Sequence, residues 1–168
     1  MTFALILVAT AFAPMLIETR RSAANERALR AAGAAEPAGD VYPAMRIAYP
    51  ACFVAMIAEA WLRGGGFTAA APLGAAVFTA GKAIKYWAIA ALGPLWTFRV
   101  LVPRPRVLVT HGPYRFLRHP NYVGVAGELI GFALLAGAPW SGALSVLSFG
   151  ILMFARIRVE ERALGLER

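Results

Sequence analysis

The chain has 168 residues, a formal net charge of +8 and a mean hydropathy of +0.62. Hydrophobic residues make up 60% of it and charged residues only 15%, whereas a soluble domain usually carries about a quarter charged residues. This length allows one domain, and so much apolar surface indicates a membrane protein rather than a soluble enzyme. The basic residues fall in short segments between apolar runs, as expected for cytoplasmic loops, and we predict no nucleic-acid partner.

The first apolar run extends from Met1 to about Ile17. It is followed by Arg20 and Arg21, and no lysine or arginine precedes it. This charge pattern predicts an uncleaved helix with its N-terminus outside the membrane. The polar, alanine-rich stretch that comes next predicts a short interfacial helix that ends near Gly33.

Two further apolar runs occupy the middle of the chain. The second run covers residues 43–62, and the glycine triplet 64–66 predicts a tight exterior turn after it. The third run covers residues 67–92 and contains Lys82 and Lys85 in its second half. We expect these two lysines to snorkel to the cytoplasmic surface.

The last two apolar runs follow a basic segment, residues 99–119, in which two prolines forbid a continuous helix. A fourth helix is predicted over 120–137 and a fifth over 141–156, continued by a polar helix to Arg168. With the N-terminus outside, every basic-rich segment falls on the cytoplasmic face. The sequence therefore predicts an all-α integral membrane protein with about five transmembrane helices and a cytoplasmic C-terminus.

A few polar side chains lie inside the apolar runs. Glu128 and Glu59 should be paired, because an unpaired carboxylate in hydrocarbon is costly; the expected partners are the lysines of the third run or backbone groups. Glu128 is also a remote candidate for a general base. Cys52 is the single cysteine and is interpreted as a packing residue. His111 and His119 are the two histidines, and their surroundings predict no metal site.

Two charged elements carry the chemistry. Residues 112–124 place two arginines, a histidine, two tyrosines and two prolines between membrane segments. His119 precedes Pro120, so its backbone is biased to an extended conformation, and Arg118 offers a forked donor for a carboxylate or phosphate. Residues 156–162 form the second element, after the last helix. Taken singly, the first element is explained equally well by contact with lipid headgroups, and the second is better explained as a solvated terminal helix with Arg–Glu pairs.

The two elements together resemble a known group of enzymes. The pattern Gly-Pro-Tyr-Arg-x-x-Arg-His-Pro-x-Tyr-x-Gly at 112–124, followed by Arg-x-Glu-Glu-x-x-Leu at 158–164, is similar to the isoprenylcysteine carboxyl methyltransferase and phospholipid methyltransferase superfamily. Residues 92–97 resemble the glycine-containing cofactor segment of that superfamily. The stretch 25–45 resembles its bacterial branch of alkylpyrone and alkylresorcinol O-methyltransferases.

The resemblance implies one methyltransferase domain over 1–168, with N-terminal helices in 1–91 and a cofactor-binding half in 92–168. It implies S-adenosylmethionine as methyl donor, bound on the cytoplasmic side of a bacterial inner membrane, and a lipophilic acceptor that enters from the bilayer. The implied donor-binding residues are Gly93, Gly112, Tyr114, Arg118, His119, Pro120, Tyr122, Glu160 and Glu161.

The catalytic roles depend on the acceptor, which the sequence leaves open between a prenylated carboxylate, a long-chain phenol or pyrone, and a lipid headgroup. A carboxylate needs no base and would be oriented by Arg99 or Arg158. A phenol or enol is helped by a base, for which His119 and Glu161 are the candidates by location.

Two alternatives stay open at this point. The Arg-His-Pro-Asn-Tyr element with Gly127 and Glu128 downstream also resembles membrane sterol reductases, which use a nicotinamide cofactor. A non-catalytic membrane scaffold is the third interpretation, and it predicts that the chain binds no cofactor.

Overall fold

The computed structural model describes residues 2–166. Its long helices are α1 (Thr2–Ala31), α2 (Tyr42–Leu62), α3 (Ala71–Leu92), α4 (Pro120–Ala136) and α5 (Pro139–Leu164). Between α3 and α4 the chain makes two short 3-10 turns, Gly93–Leu95 and Gly112–Arg115. Over the same residues the only β pairing is an isolated bridge between Ala35 and Val102.

Proline and glycine set most of the helix ends. A proline stands at the first or second position of α2, α3, α4 and α5, where its missing N–H has no helical partner to lose. The glycines Gly137 and Gly165 close α4 and α5 in the left-handed conformation, with φ of +66° and +72°. These local signals explain why the predicted starts and ends of α2 and α4 agree closely with the observed helices.

The five helices alternate in direction, which brings the basic segments together at one end of the bundle, called here the polar end. There the α1 side chain Asn25 donates to the Gly93 carbonyl at the end of α3 (3.1 Å), and His119 at the start of α4 meets Glu160 near the end of α5. At the other end, the Ser141 N–H that begins α5 donates to Glu59 of α2 (2.6 Å). The predicted grouping of the basic segments on one face is confirmed, while its cytoplasmic location remains a prediction.

The surface of the bundle suits lipid. Helices α1, α2 and α5 are long and apolar enough to cross a membrane, and α4 is a shorter apolar helix. Large apolar side chains project outward from several helices, among them Leu62 (78% exposed), Trp140 (77%) and Ile151 (71%). The predicted class, an all-α integral membrane protein, is confirmed.

One predicted boundary is wrong, because α1 does not stop near Ile17 but continues as one helix to Ala31. The polar continuation of α5 is present as predicted, but the helix ends at Leu164, where Gly165 adopts the left-handed conformation. In α1 the reason is tertiary: Glu18 and Ser22, which look like surface residues in the sequence, are each only 2% exposed and face the bundle. The predicted continuation of the last helix to Arg168 reaches outside the described residues.

Helices α3 and α4 meet through their backbones, along a line of glycines called here the glycine seam. A Cβ added to Gly131 would lie 2.2 Å from the Phe78 nitrogen, and one added to Gly81 would lie 2.8 Å from the Glu128 nitrogen. Such contacts are possible only without side chains, a packing mode typical of membrane helices. A Cβ added to Gly124 would lie 2.8 Å from the Gly81 carbonyl oxygen and 2.9 Å from the Lys85 nitrogen, so the seam extends to the start of α4.

Candidate functional site

A cavity of about 630 Å³ opens at the polar end of the bundle. Its volume lies in the range of pockets that hold small molecules and cofactors, roughly 300–1,000 Å³. All five helices contribute to its walls, and the segment 93–119 that links α3 to α4 runs along it. Most of its lining surface is apolar, and polar side chains gather in two places, one at its mouth and one on its floor.

The first polar group, called here the His–Glu cluster, comprises His119, Tyr122, Arg156, Glu160 and Glu161, of which the first four line the cavity and Glu161 lies behind His119. His119 is the residue before α4, and its backbone (φ −130°, ψ 58°) is non-helical but differs in ψ from the extended conformation predicted for a residue that precedes proline. Its Nδ1 lies 3.5 Å from Glu160 Oε2 and its Nε2 lies 3.1 Å from Glu161 Oε1. The hydroxyl of Tyr122 donates to Glu160 Oε1 (2.6 Å). The two predicted charged elements therefore meet through their side chains.

The surroundings of His119 favour its charged form. The hydrogen bond with Glu160 raises the pKa of His119 above its ordinary value of 6.5; burial acts in the opposite direction, and the hydrogen bond with Glu161 adds to the increase. An imidazolium donates from both nitrogens and has no lone pair with which to accept a proton. The geometry thus supports a charge-holding role for His119 more than the predicted role of general base.

Asp40 ties three parts of the chain together behind this cluster. Its carboxylate accepts hydrogen bonds from the backbone N–H of Tyr42 and of Val100 (both 2.9 Å) and from the guanidinium of Arg156. Arg156 in turn donates to Glu160 Oε1 (3.2 Å). Sequence reasoning did not single out Asp40, although an aspartate two residues before a helix start is a typical local acceptor for a backbone N–H.

The segment before α2 supports one wall of the cavity through ion pairs with Arg99, which lines it. Glu36 pairs with Arg99 (2.7 Å) and Arg30 (2.5 Å), and these hydrogen bonds lower the pKa of Glu36 although burial alone would raise it. The guanidinium of Arg99 lies 4.8 Å from the ring centroid of Tyr42, which lines the cavity. Arg99 is therefore engaged in holding this wall.

Several other predicted residues shape or line the same space. Tyr114 and Arg118 line the cavity, and the Arg118 side chain is 60% exposed, with only a long contact of 3.9 Å to Glu161. Burial raises the pKa of Tyr114 well above its ordinary value, so its phenol stays protonated. Pro120 is buried at the start of α4.

The two predicted glycines act through the backbone. Gly93 and Gly112 both have positive φ, +55° and +61°. Gly112 packs against Trp87 and Ala91, and a Cβ there would lie 2.9 Å from the Ala91 Cβ. Neither glycine is among the residues that line the cavity.

The structure does not bring Arg158 to the cavity. Its guanidinium lies 4.8 Å from the ring centroid of Phe154, one turn earlier on α5, and the residue is exposed. Its predicted role in orienting an acceptor has no support from this geometry. His119 and Glu160, in contrast, are both within the walls of the cavity.

The second polar group, called here the buried charge cluster, comprises Glu18, Lys82, Lys85, Glu128 and Tyr49. Lys82 lies 2.9 Å from both Glu18 and Glu128, and Lys85 lies 2.6 Å from Glu18 and 3.3 Å from Glu128. The Tyr49 hydroxyl donates to Glu128. The expected pairing of Glu128 with lysines is confirmed. The expected snorkelling is wrong, because Lys82 and Lys85 are 8% and 2% exposed and point into the bundle.

Glu59 and Cys52 are not among the residues that line the cavity. Glu59 accepts from the backbone N–H groups of Trp140 and Ser141, as one of its expected pairings required. Cys52 is buried in the apolar core and carries no disulfide. Over residues 2–166 no group of three or more histidine, cysteine or acidic side chains lies close enough to hold a metal ion.

One polar atom of the cavity wall has no partner. Asn121 lines the cavity, and its Oδ1 is buried without a hydrogen bond from any described residue. A buried acceptor left unpaired costs about 1–3 kcal/mol, so such an atom commonly marks a place where a ligand donates.

Comparison with known proteins places the chain in a family. The family model for the isoprenylcysteine carboxyl methyltransferase (ICMT) family matches residues 74–165. A Bacillus subtilis (strain 168) protein described as "Uncharacterized protein YpbQ" is 30% identical, with 95% of each chain covered. An "Uncharacterized protein" of Haemophilus influenzae is 28% identical over 98% of this chain and 93% of its own length. No solved structure gives a significant match. The matched segment contains both charged elements, and the chain belongs to the ICMT family of membrane methyltransferases.

Proposed function

We propose that this protein is an S-adenosylmethionine-dependent methyltransferase that methylates an oxygen of a lipophilic acceptor at the cytoplasmic face of a bacterial inner membrane. Family membership supports methyl transfer in a membrane and does not favour the reductase or scaffold alternatives. The observation that carries the proposal is the His–Glu cluster at the mouth of a membrane-embedded cavity, where His119 bridges Glu160 and Glu161.

The polar groups of the mouth fit the proposed donor. A sulfonium donor carries a carboxylate, an ammonium, ribose hydroxyls and an adenine amine. Arg118, largely exposed and only loosely paired, suits the carboxylate, and the unpaired Oδ1 of Asn121 suits an N–H or O–H donor. Glu160 accepts from Tyr122 and Arg156, and a carboxylate offers about four acceptor sites, so it retains capacity for a further donor.

The aromatic walls suit a positive charge. Tyr42, Trp96, Tyr114 and Tyr122 all line the cavity. Ring faces attract a sulfonium or ammonium by about 0.5–2 kcal/mol, more when water is excluded. When bound, the donor supplies a methyl group that is already activated, so the protein's task is alignment and exclusion of water.

The acceptor is proposed to enter sideways, between α1 and α2. Met15 and Thr19 of α1 and Met45 and Arg46 of α2 line the cavity where these helices face each other. Thr19 and Arg46 are exposed, and two other lining residues, Pro50 of α2 and Phe149 of α5, are apolar. Such a passage suits a long alkyl or prenyl chain; a long-chain phenolic or pyrone lipid and a prenylated carboxylate both meet this description.

Binding of S-adenosylhomocysteine, compared with binding of NADPH, tests the proposal directly. The purified protein in detergent micelles is titrated with S-adenosylhomocysteine and, separately, with NADPH. We expect saturable binding of the first and none of the second. Binding of NADPH alone would replace the proposal with the reductase. Absence of binding by both would leave the scaffold as the better account. Incubation of membranes with a labelled donor then identifies the methylated lipid.

A further inference from the structure

The floor of the cavity holds charges that donor binding does not use. Glu18, Tyr49 and Lys85, three members of the buried charge cluster, line the cavity, whereas Lys82 and Glu128 do not. The cluster contains two ammonium groups and two carboxylates, so its formal charges cancel. A buried charge cluster that only joins the helices would have no reason to face the cavity. Because Glu18, Tyr49 and Lys85 do face it, we look for a role of these side chains beyond helix packing.

Lys85 has hydrogen-bonding capacity to spare. An ammonium carries three N–H donors. The Lys85 ammonium makes one hydrogen bond, to Glu18 Oε2 (2.6 Å), and its contact with Glu128 Oε1 is longer, at 3.3 Å. Glu128 Oε1 itself is buried without a hydrogen bond among the described residues. At least one donor of Lys85 is therefore available to a molecule in the cavity.

The floor and the donor site share one cavity, since Lys85 and Asn121 both line it. The Lys85 ammonium contacts Glu128, which follows Asn121 by seven residues on α4, and seven helical residues span about 10.5 Å. A small molecule held by Lys85 and a second one held at Asn121 can therefore touch within the cavity.

We propose that Lys85, with the Tyr49 ring beside it at 5.3 Å, is the subsite that holds the anionic oxygen of the acceptor. The inference rests on the proposed function and specifies its substrate: a lipid with a carboxyl, or with a phenol or enol acidic enough to bind as an anion. As the new oxygen–methyl bond forms, the carbon–sulfur bond breaks and its electron pair stays on sulfur. The acceptor's proton has left before binding, so no protein base is needed.

The charge balance of the cavity favours this arrangement. An isolated anion in a low-dielectric site is costly unless it is paired. Because the buried charge cluster is already neutral, the neighbouring sulfonium balances the charge of the acceptor, and the Lys85 ammonium donates a hydrogen bond to it. Methyl transfer then converts an anion and a cation into two neutral products, which a poorly solvated site favours over the separated charges.

The test compares two lysines that share the same carboxylates. Lys85→Met and Lys82→Met each remove one ammonium from the buried charge cluster, but only Lys85 lines the cavity. Probes are N-acetyl-S-farnesylcysteine with its methyl ester, and an undecyl hydroxypyrone with its methoxy derivative. Binding to the full-length protein is followed by tryptophan fluorescence near pH 8, where a carboxyl is ionised (ordinary pKa of about 4).

We expect the wild-type protein to bind at least one acid about tenfold or more tightly than its methylated form, the effect of one charge-assisted hydrogen bond. Lys85→Met should remove this preference, and Lys82→Met and Lys85→Arg should retain it. A wild-type protein without preference for either acid overturns the proposal, as does a folded Lys85→Met protein that keeps it. Binding of S-adenosylhomocysteine is measured in parallel. Absence of this binding in the wild-type protein refutes the proposed function. If Lys85→Met still binds S-adenosylhomocysteine, the effect of that substitution is confined to the acceptor.

Discussion

Helices α3 and α4 touch through their backbones along the glycine seam, yet at their polar ends the same two helices contribute to a cavity of about 630 Å³. The seam has no room for a single added carbon, whereas the cavity leaves an amide oxygen and an arginine with few or no protein partners. The contrast shows how a chain of 168 residues keeps an open site in a small bundle. A rigid pair of helices holds Lys85 and His119, and the remaining helices enclose the space beside them.

The largest effect is expected where the seam is closed. In Gly131→Val the new side chain would meet the Phe78 backbone, whose nitrogen lies 2.2 Å from the position of a Cβ. Backbone cannot move aside as a flexible side chain can, so the free energy of unfolding should fall by about 3 kcal/mol or more. The measurement is thermal unfolding followed by circular dichroism. Gly150→Val is the matched control, because nothing lies within 4 Å of its Cβ position. Equal stability of the two variants would contradict the close backbone packing of α3 against α4.

The next effect concerns the mouth of the cavity. Glu160→Gln removes the charge that His119, Tyr122 and Arg156 surround, and S-adenosylhomocysteine should bind about 100-fold more weakly, or about 2.8 kcal/mol. Isothermal titration calorimetry gives the dissociation constant. Glu59→Gln alters a carboxylate at the opposite end of the bundle and should leave it unchanged. If both variants bind S-adenosylhomocysteine as tightly as the wild type does, Glu160 does not belong to the donor site.

The pH dependence of stability distinguishes a paired histidine from a free one. The pKa of His119 is raised in the folded protein, chiefly by its hydrogen bond with Glu160, so its pairing contributes stability in full below the ordinary pKa of 6.5. That contribution is lost as the pH rises through the raised pKa. The difference in melting temperature between the wild type and His119→Asn should therefore shrink as the pH rises above 6.5. A constant difference across this range would show that the pairing does not depend on protonation.

The smallest effect separates two arginines. Arg118 lines the cavity and Arg158 does not, so Arg118→Ala should weaken S-adenosylhomocysteine binding by roughly tenfold, as expected for loss of one charge-assisted contact. Arg158→Ala should change it by less than about twofold, as is usual for a surface substitution. A larger effect at Arg158 than at Arg118 would contradict the assignment of the mouth.

Local sequence signals predicted helix ends well and contacts between distant residues poorly. The proline that starts α4 and the glycine that follows it fixed that helix closely, because both act on neighbouring backbone. The end of α1 was mispredicted, because Glu18 reads as a surface residue until Lys82 and Lys85 come from another helix to pair with it. The same pairing kept both lysines from the surface. Asp40 was overlooked for a similar reason, since two of its three partners lie about sixty or more residues away.

Composition and helix-end residues determined by themselves that this is an all-α membrane protein, since apolar content and local capping act without reference to distant parts of the chain. The two charged motifs carried the resemblance to a methyltransferase superfamily, within which the family match places the chain in the ICMT family. Only the tertiary structure decided that the two motifs meet through His119, that Arg158 turns away, and that Lys85 faces the cavity while Lys82 does not. These outcomes depend on the distance and rotation of packed helices, which the glycine seam sets for α3 and α4 and which tertiary packing sets for α5.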